Sequence, residues 1–345
     1  MLKINKLLLI GGTNRSTHLR NFHNLIADQF ETILVVSNQH VDFSSCEVIN
    51  FSLRNPIQFW RNVRALKLII EAFEPDIIHV HQANSFGFMT ALANQKKNIP
   101  LVLTTWGSDV LLLPNKSFLH RWMVKYVLNR ADQITADAQF MASAIHQLVG
   151  PKTVLIANFG VDIDTSNNAI VRKKIIYSNR MHAPLYQIEK IIQESADFLK
   201  SNADWSIIIA GNGKNTIELE KLAAKNLPSD SYEFVGFLNN EQNKANYQSA
   251  TIYVSIPTSD GTSISLLEAM AYGCIPIVSN LPANKEWVDS DVNGIIYNGN
   301  LSESIRQSLR LSIPQVQKLN LEHIEKRATK EVNKKAFVSL YMKIR

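Results

Sequence analysis

The chain has 345 residues, 46% of them hydrophobic and 19% charged, and its 36 Lys and Arg against 30 Asp and Glu leave a formal net charge of +6. That length carries about two domains, each able to bury a core without disulfide or metal support, and the apolar content excludes a disordered or low-complexity chain. Two distant cysteines (Cys46 and Cys274), no Cys/His cluster at ligand spacing and no apolar run near the ~20 residues of a spanning helix exclude a disulfide scaffold, a zinc site and a transmembrane span. Gly11-Gly12 cuts the apolar stretch that follows the basic Met1–Lys6, so no secretory signal is expected and the reading is a cytoplasmic protein.

Short apolar runs alternate with helical periodicity along the chain. Strands are predicted at Leu7–Ile10, Thr32–Val36, Asp76–Val80, Leu101–Thr104 and Val154–Ala157. Helices fall between them at Thr17–Asp28, Phe59–Phe73, Phe86–Ala93, Leu119–Asn129 and Ala142–Leu148. The polar stretch Asn158–Lys174 has no helical period and ends on Arg172-Lys173-Lys174, which places a domain break there. Beyond it, strands are predicted at Lys174–Tyr177, Trp205–Ala210, Thr251–Ser255 and Ile275–Ser279. Ile188, Ile191, Ile192, Ala196 and Leu199 share one helix face. The basic segment Leu319–Arg345 reads as helical. Residues 1–165 are expected as one domain and 166–325 as a second, with 326–345 packing back on the first. Continuous apolar strands joined by crossover helices make parallel sheets covered on both faces, with ligand loops at their carboxyl ends. The fold class expected is α/β, two Rossmann-like domains facing an interdomain cleft.

The chemistry concentrates between Ser255 and Gly294. A strand ends, the loop Asp260-Gly261-Thr262 follows, and a helix starts near Ser263. Backbone N–H groups of Ser263, Ile264 and Ser265 at that start form a site for phosphate oxygens. Asp260 and Glu268 lie eight positions apart, one before the helix and one inside it, so both are able to face a ligand across its N-terminus. A capped helix start with a solvated glutamate is the plainer alternative.

The segment from Asp260-Gly261 to Glu268-Ala-Met-Ala-Tyr-Gly273-Cys-Ile-Pro276 resembles the donor-site signature of the retaining glycosyltransferases of family 4, which have the GT-B fold and include bacterial surface-glycan enzymes. The likeness extends to Asp76-Ile-Ile-His-Val-His81, Thr105-Trp-Gly-Ser-Asp109, Asn158-Phe-Gly-Val-Asp162, Ser178-Asn-Arg180 and Pro282–Val288, and so covers nearly the whole chain. Three positions depart from the family pattern. Asp260 stands for the usual glutamate, Trp106 for a histidine, and Leu185 for a lysine five residues after Arg180.

The resemblance implies an enzyme that moves a sugar from a nucleotide-activated donor to a saccharide, lipid-linked glycan or glycoprotein. Glu268 would then accept hydrogen bonds from ribose hydroxyls, Asp260 would lie by the donor sugar, and Arg180 would neutralise phosphate. Phe237 and Leu238 would lie near the base. Lys214, after Gly211-Asn-Gly213, is a candidate second cation, and the two glycines would let backbone approach the donor. On the acceptor side stand Gly11, Gly12, His18, Arg20, His81 and Trp106. His18 and Asp109 are also candidate catalytic groups, Asp109 being equally able to cap a turn. No metal or cofactor is implied, since an arginine and a helix N-terminus supply the positive charge. The missing lysine leaves open whether the donor carries two phosphates or, as in a cytidine monophosphate sugar, one. A nucleotide-sugar 2-epimerase or hydrolase of the same architecture, and a silent donor-binding subunit, are the alternatives.

Phe118, Leu119, Trp122, Met123 and Tyr126 supply apolar surface on one helix, with His120, Arg121, Lys125 and Arg130 nearby. Such a segment suits peripheral docking on an anionic inner membrane face, or is an ordinary core-facing helix with a basic side. Nucleic acid is not expected as a partner, because no recognition motif is present and +6 is modest for this length.

Overall fold

A computed structural model describes residues 4–12, 17–40, 42–96, 99–163 and 172–344. It divides into two units, Met1–Phe159 with Lys330–Arg345, and Gly160–Thr329.

In the first unit, β1 (Ile4–Ile10), β2 (Phe30–Ser37), β3 (Cys46–Val48), β4 (Ile77–His81), β5 (Leu101–Thr104), β6 (Gln133–Ala136) and β7 (Val154–Ile156) form one parallel sheet in the order β3-β2-β1-β4-β5-β6-β7. Helices α1 (Thr17–Ile26), α2 (Pro56–Phe73), α3 (Ser85–Ala93), α4 (Phe118–Arg130) and α5 (Gln139–Val149) connect the strands. Leu7, Leu8, Leu9 and Ile10 are all fully buried, as expected of a central strand covered on both faces. Ile10 pairs with Val36 on one side and Val80 on the other. The strand order reverses between β1 and β4, so the loops after these strands emerge side by side at the switch point.

The C-terminal helix (Lys330–Lys343) belongs to this unit, and its Phe337, Leu340 and Tyr341 share a core with Leu7, Leu9 and Phe22. The Tyr341 hydroxyl lies 2.6 Å from His79 Nδ1, and His79 Nε2 lies 2.7 Å from the Thr104 hydroxyl. Burial, with the neighbouring His81 adding to it, pushes the His79 pKa well below the usual histidine range.

The second unit repeats the plan. Strands β8 (Lys173–Ser178), β9 (Ser206–Ala210), β10 (Tyr232–Gly236), β11 (Ala250–Ser255), β12 (Ile275–Ser279) and β13 (Ile295–Tyr297) pair in parallel in the order β10-β9-β8-β11-β12-β13. Around them run α6 (Ile188–Ser201), α7 (Thr216–Asn226), α8 (Asn240–Ser249), α9 (Ile264–Ala271), α10 (Pro282–Lys285), α11 (Leu301–Ser308) and α12 (Ile313–Arg327). Alternation along the strands sends Ile176, Ile252 and Ile277 into one core and Tyr177, Tyr253 and Val278 into the other. Here the order reverses between β8 and β11.

Several expectations needed adjustment. Strand β4 begins one residue later than expected, because Asp76 turns its carboxylate to the Lys6 N–H at 2.8 Å. Strands β3, β6, β10 and β13 were not expected from the sequence. Three of them are sheet edges, short and only partly buried, so their apolar signal is thin. The segment after Leu319 holds the end of α12 and the separate C-terminal helix. Thr329 pairs with Val161 as an isolated parallel bridge, and the Val161 N–H donates to the Ala328 carbonyl at 2.8 Å. That extended backbone ends α12.

Tyr341→Phe removes the hydroxyl at His79 and leaves a buried ring nitrogen unpaired. Stability should fall by about 1–3 kcal/mol in urea unfolding. An unchanged midpoint would show that packing alone holds the C-terminal helix.

Candidate functional site

Because β8 and β11 are neighbours, the residues just past their ends meet. Arg180 follows β8, and Asp260 lies in the loop after β11. One guanidinium nitrogen of Arg180, Nη2, donates to Asp260 Oδ2 at 2.6 Å, and Nη1 donates to the Ser263 hydroxyl. The guanidinium also sits 4.6 Å above the Tyr186 ring. Burial works against the charge on Arg180, but the Asp260 carboxylate beside it more than offsets this and raises the pKa above the usual arginine value. Ser263 is the N-cap of α9, accepting from the Leu266 N–H at 3.4 Å. One serine thus ties the helix start to the arginine. Gly261 and Thr262 are buried behind it, and the Thr262 hydroxyl accepts from the indole N–H of buried Trp287 at 3.3 Å. Ile264 and Ser265, half-buried, form the first turn.

Glu268 lies one turn further along α9 and accepts from the Tyr247 hydroxyl at 3.0 Å. That hydroxyl in turn accepts from Asn179 Nδ2 at 2.7 Å, and Asn179 Oδ1 accepts from the Tyr253 hydroxyl at 3.1 Å. Tyr177 donates to Asn243 Oδ1 at 2.6 Å, closing a polar layer beneath the carboxylate. Burial, with Glu268 adding to it, raises the Tyr247 pKa well above the ordinary tyrosine value, and burial pushes Tyr253 up to about 12. These hydroxyls therefore stay protonated as donors. Sequence reasoning missed this layer. Its signal was two tyrosines, Tyr177 and Tyr253, at inward strand positions where aliphatic residues are the rule, and they turn out to be register partners.

The glycines of the 211–213 turn are required by close packing. A side chain on Gly211 (φ +118°) would meet the Arg180 carbonyl at 2.3 Å, and one on Gly213 would meet that of His182 at the same distance. Their small size lets this turn pack on the backbone that carries Arg180. Lys214 beside them is exposed. Phe237 is exposed, while Leu238 is half-buried against the core behind α9. Leu185 occupies the turn Pro184–Tyr186, where its carbonyl accepts from the Thr258 N–H at 2.9 Å. An apolar side chain therefore stands where a second cation was looked for.

In the first unit the switch point gathers aromatic rings. His81 ends β4, fully buried, and its Nδ1 accepts from the Trp106 indole N–H at 3.1 Å. His18, exposed at the start of α1, lies 5.2 Å from the Trp106 ring and 6.0 Å from Phe159. Gly11 passes close enough that an added Cβ would lie 3.2 Å from His81 Cβ, and one on Gly12 would collide with Asn38 and Phe86. Arg20 is exposed; two positions from His18 on a helix, it faces a different side. Asp109 is not available to a ligand as a catalytic group would be. Its Oδ2 accepts from the Ala83 N–H at 2.7 Å and its Oδ1 from the Trp106 N–H at 2.9 Å, all within the core. Burial raises its pKa, those N–H groups working in opposition. Asp109 clamps the Trp106 turn to the loop after β4.

Burial, together with the neighbouring His18, pushes His81 down to about 3. The unfolded chain titrates this group near pH ~6.5. Stability is thus fully present above that pH and declines as pH falls through the window down to about 3, by about 1.4 kcal/mol per unit from this residue. His81→Gln should flatten the slope by that amount in denaturant titrations between the two values. An identical slope would contradict a buried neutral His81.

The comparisons with known proteins agree with this architecture. Residues 6–138 match the family model described as glycosyl transferase 4-like, and residues 163–329 match glycosyl transferases group 1. An uncharacterized glycosyltransferase of Methanocaldococcus jannaschii is 24% identical over 290 residues, covering 84% of this chain and 78% of its own. A GDP-mannose:cellobiosyl-diphosphopolyprenol alpha-mannosyltransferase of Xanthomonas oryzae is 24% identical over 276 residues, 77% of this chain and 70% of its own. The structure of Anabaena HepE in complex with UDP aligns at a TM-score of 0.79 with 16% identity, covering 98% of this chain and 99% of that one, a likeness of fold. With a Rossmann-like sheet under each matched region, the chain belongs to the GT-B glycosyltransferases, group 4-like in its first half and group 1 in its second.

Proposed function

We propose that this glycosyltransferase takes its sugar from a nucleotide-activated donor held at the β8/β11 switch point. It passes the sugar to a lipid-linked saccharide with retention at the anomeric carbon. The observation that carries the reading is the cluster of Arg180, Asp260 and Ser263 at the start of α9, with Glu268 on the same helix. Arg180 and the helix N-terminus present positive charge together, which suits a phosphate. Glu268, oriented by Tyr247, offers carboxylate oxygens to ribose hydroxyls. Asp260 uses Oδ2 to hold Arg180 and leaves contact with the sugar to Oδ1.

As the glycosidic C–O bond breaks, the departing phosphate gains negative charge, and Arg180 with the α9 terminus stabilises it more than the ground state. The sugar passes through a short-lived oxocarbenium–phosphate ion pair, and the phosphate oxygen takes the acceptor hydroxyl's proton on the same face. Positive charge for this step comes from protein groups, so the scheme calls on no metal or cofactor. The Xanthomonas relative, by its name, acts on a diphosphopolyprenol-linked saccharide, which supports a lipid-linked acceptor and a place in surface-glycan synthesis. We place the enzyme at the cytoplasmic face of the membrane as a peripheral protein. Among the described residues no helix is long and apolar enough to cross.

The configuration of the product, read by NMR coupling at the anomeric carbon, tests the mechanism: retention is expected, and inversion would overturn it. For the donor site, Glu268→Gln should weaken nucleotide binding by about 1–3 kcal/mol. Unchanged affinity would remove Glu268 from the ribose.

A further inference from the structure

Helix α2 carries an outward stripe that the core does not use. Ile57, Trp60, Arg61, Arg64 and Leu68 fall at spacings of three and four, so they share one face, and Ile57 and Trp60 are 69% and 60% exposed. On α4, Phe118, Leu119 and Trp122 are 84%, 68% and 47% exposed. The two helices are joined through α3, which packs against both. Its Phe88 ring stacks on Phe59, the neighbour of Trp60, at 5.9 Å and meets Trp122 edge-on at 5.7 Å. The exposed tryptophans of two separate helices are thus linked through Phe88 and the buried Phe59.

Charge on this surface is mostly positive, the exception being Glu71, which pairs with Lys67 at 3.8 Å. Four cations and no acid lie between Leu53 and Ile70, and four cations and no acid between Lys116 and Arg130. An exposed apolar patch with aromatic residues is a mark of an interaction site, and tryptophan with arginine and lysine is the combination that seats in a lipid interface. A protein partner of ordinary composition leaves so many like charges without counterions, whereas an anionic headgroup layer supplies them.

We propose that the outer faces of α2 and α4 together form the surface by which the protein docks on an anionic bilayer. Trp60, Phe118 and Trp122 seat among the headgroups, and Arg61, Arg64, Arg121 and Lys125 pair with lipid phosphates. This deepens the peripheral placement proposed above and rests on it. Its test uses neither donor nor acceptor, so its failure is separate from any failure of the transfer reaction.

The full-length protein is sedimented with vesicles of phosphatidylcholine alone and of phosphatidylcholine mixed with phosphatidylglycerol, at low and high salt. Binding is expected only to the mixed vesicles, falling as salt rises. Arg61→Gln/Arg64→Gln should lower the partition coefficient about fivefold per charge removed, the equivalent of about 1 kcal/mol each near an anionic surface. Trp60→Ser/Phe118→Ser should lower it at every salt concentration. Thermal midpoints of both variants should stay at the parent value, since these side chains lie outside the core. Absence of binding, binding indifferent to lipid charge, or binding untouched by both double variants would overturn the proposal. So would a dimer in solution that Trp60→Ser/Phe118→Ser dissolves, because the face would then be an interface between copies.

Discussion

The ion pair between Arg180 and Asp260 is the contact on which the site in the second unit depends. It joins the ends of two adjacent parallel strands at the point where strand order reverses, and Ser263 extends it to the first residue of α9. A half-buried pair of this kind is poor evidence of stability, because desolvation of both charges offsets much of their attraction. Its value is positional. The chain accepts the cost and obtains an arginine fixed in orientation, with a helix terminus pointing into the same space. The other features of the site serve that arrangement. The glycines of the 211–213 turn let a loop close on the arginine's backbone, and the turn holding Leu185 sets Tyr186 against its guanidinium.

Glu268 is held by different means. Where Arg180 has an opposite charge, Glu268 has a layer of buried tyrosines and asparagines whose hydroxyls remain protonated and donate. The two acidic residues of one loop-and-helix segment thus have different partners, a guanidinium for Asp260 and a tyrosine hydroxyl for Glu268.

Much of this was legible in the sequence because its signal is local. Leu7–Ile10 reads as a buried strand from four consecutive aliphatics, and the Ser263 cap with Glu268 on its helix reads from spacing alone. What was hidden depends on residues distant in the chain. The sequence leaves Asp109 open between a sugar ligand and a turn cap until Ala83 and the Trp106 turn are folded around it, and it does not show that Gly211 and Gly213 pack on the backbone of Arg180 and His182. Tyr247 gives no sign of its role, since α8 is polar and its link to Glu268 is made across two helices. Edge strands such as Cys46–Val48 escape for another reason: with little to bury, they carry almost no apolar pattern.

The central claim is that Arg180, held in place by Asp260, receives phosphate. Replacing both partners by apolar residues, Arg180→Met with Asp260→Leu, removes the two charges without stranding either one in the interior. Calorimetric titration of this double variant with a nucleoside diphosphate and with the corresponding nucleoside separates phosphate recognition from base and ribose recognition. The account predicts that nucleoside affinity is retained while the extra affinity of the diphosphate is lost. A double variant that still prefers the diphosphate by the parent's margin would contradict it.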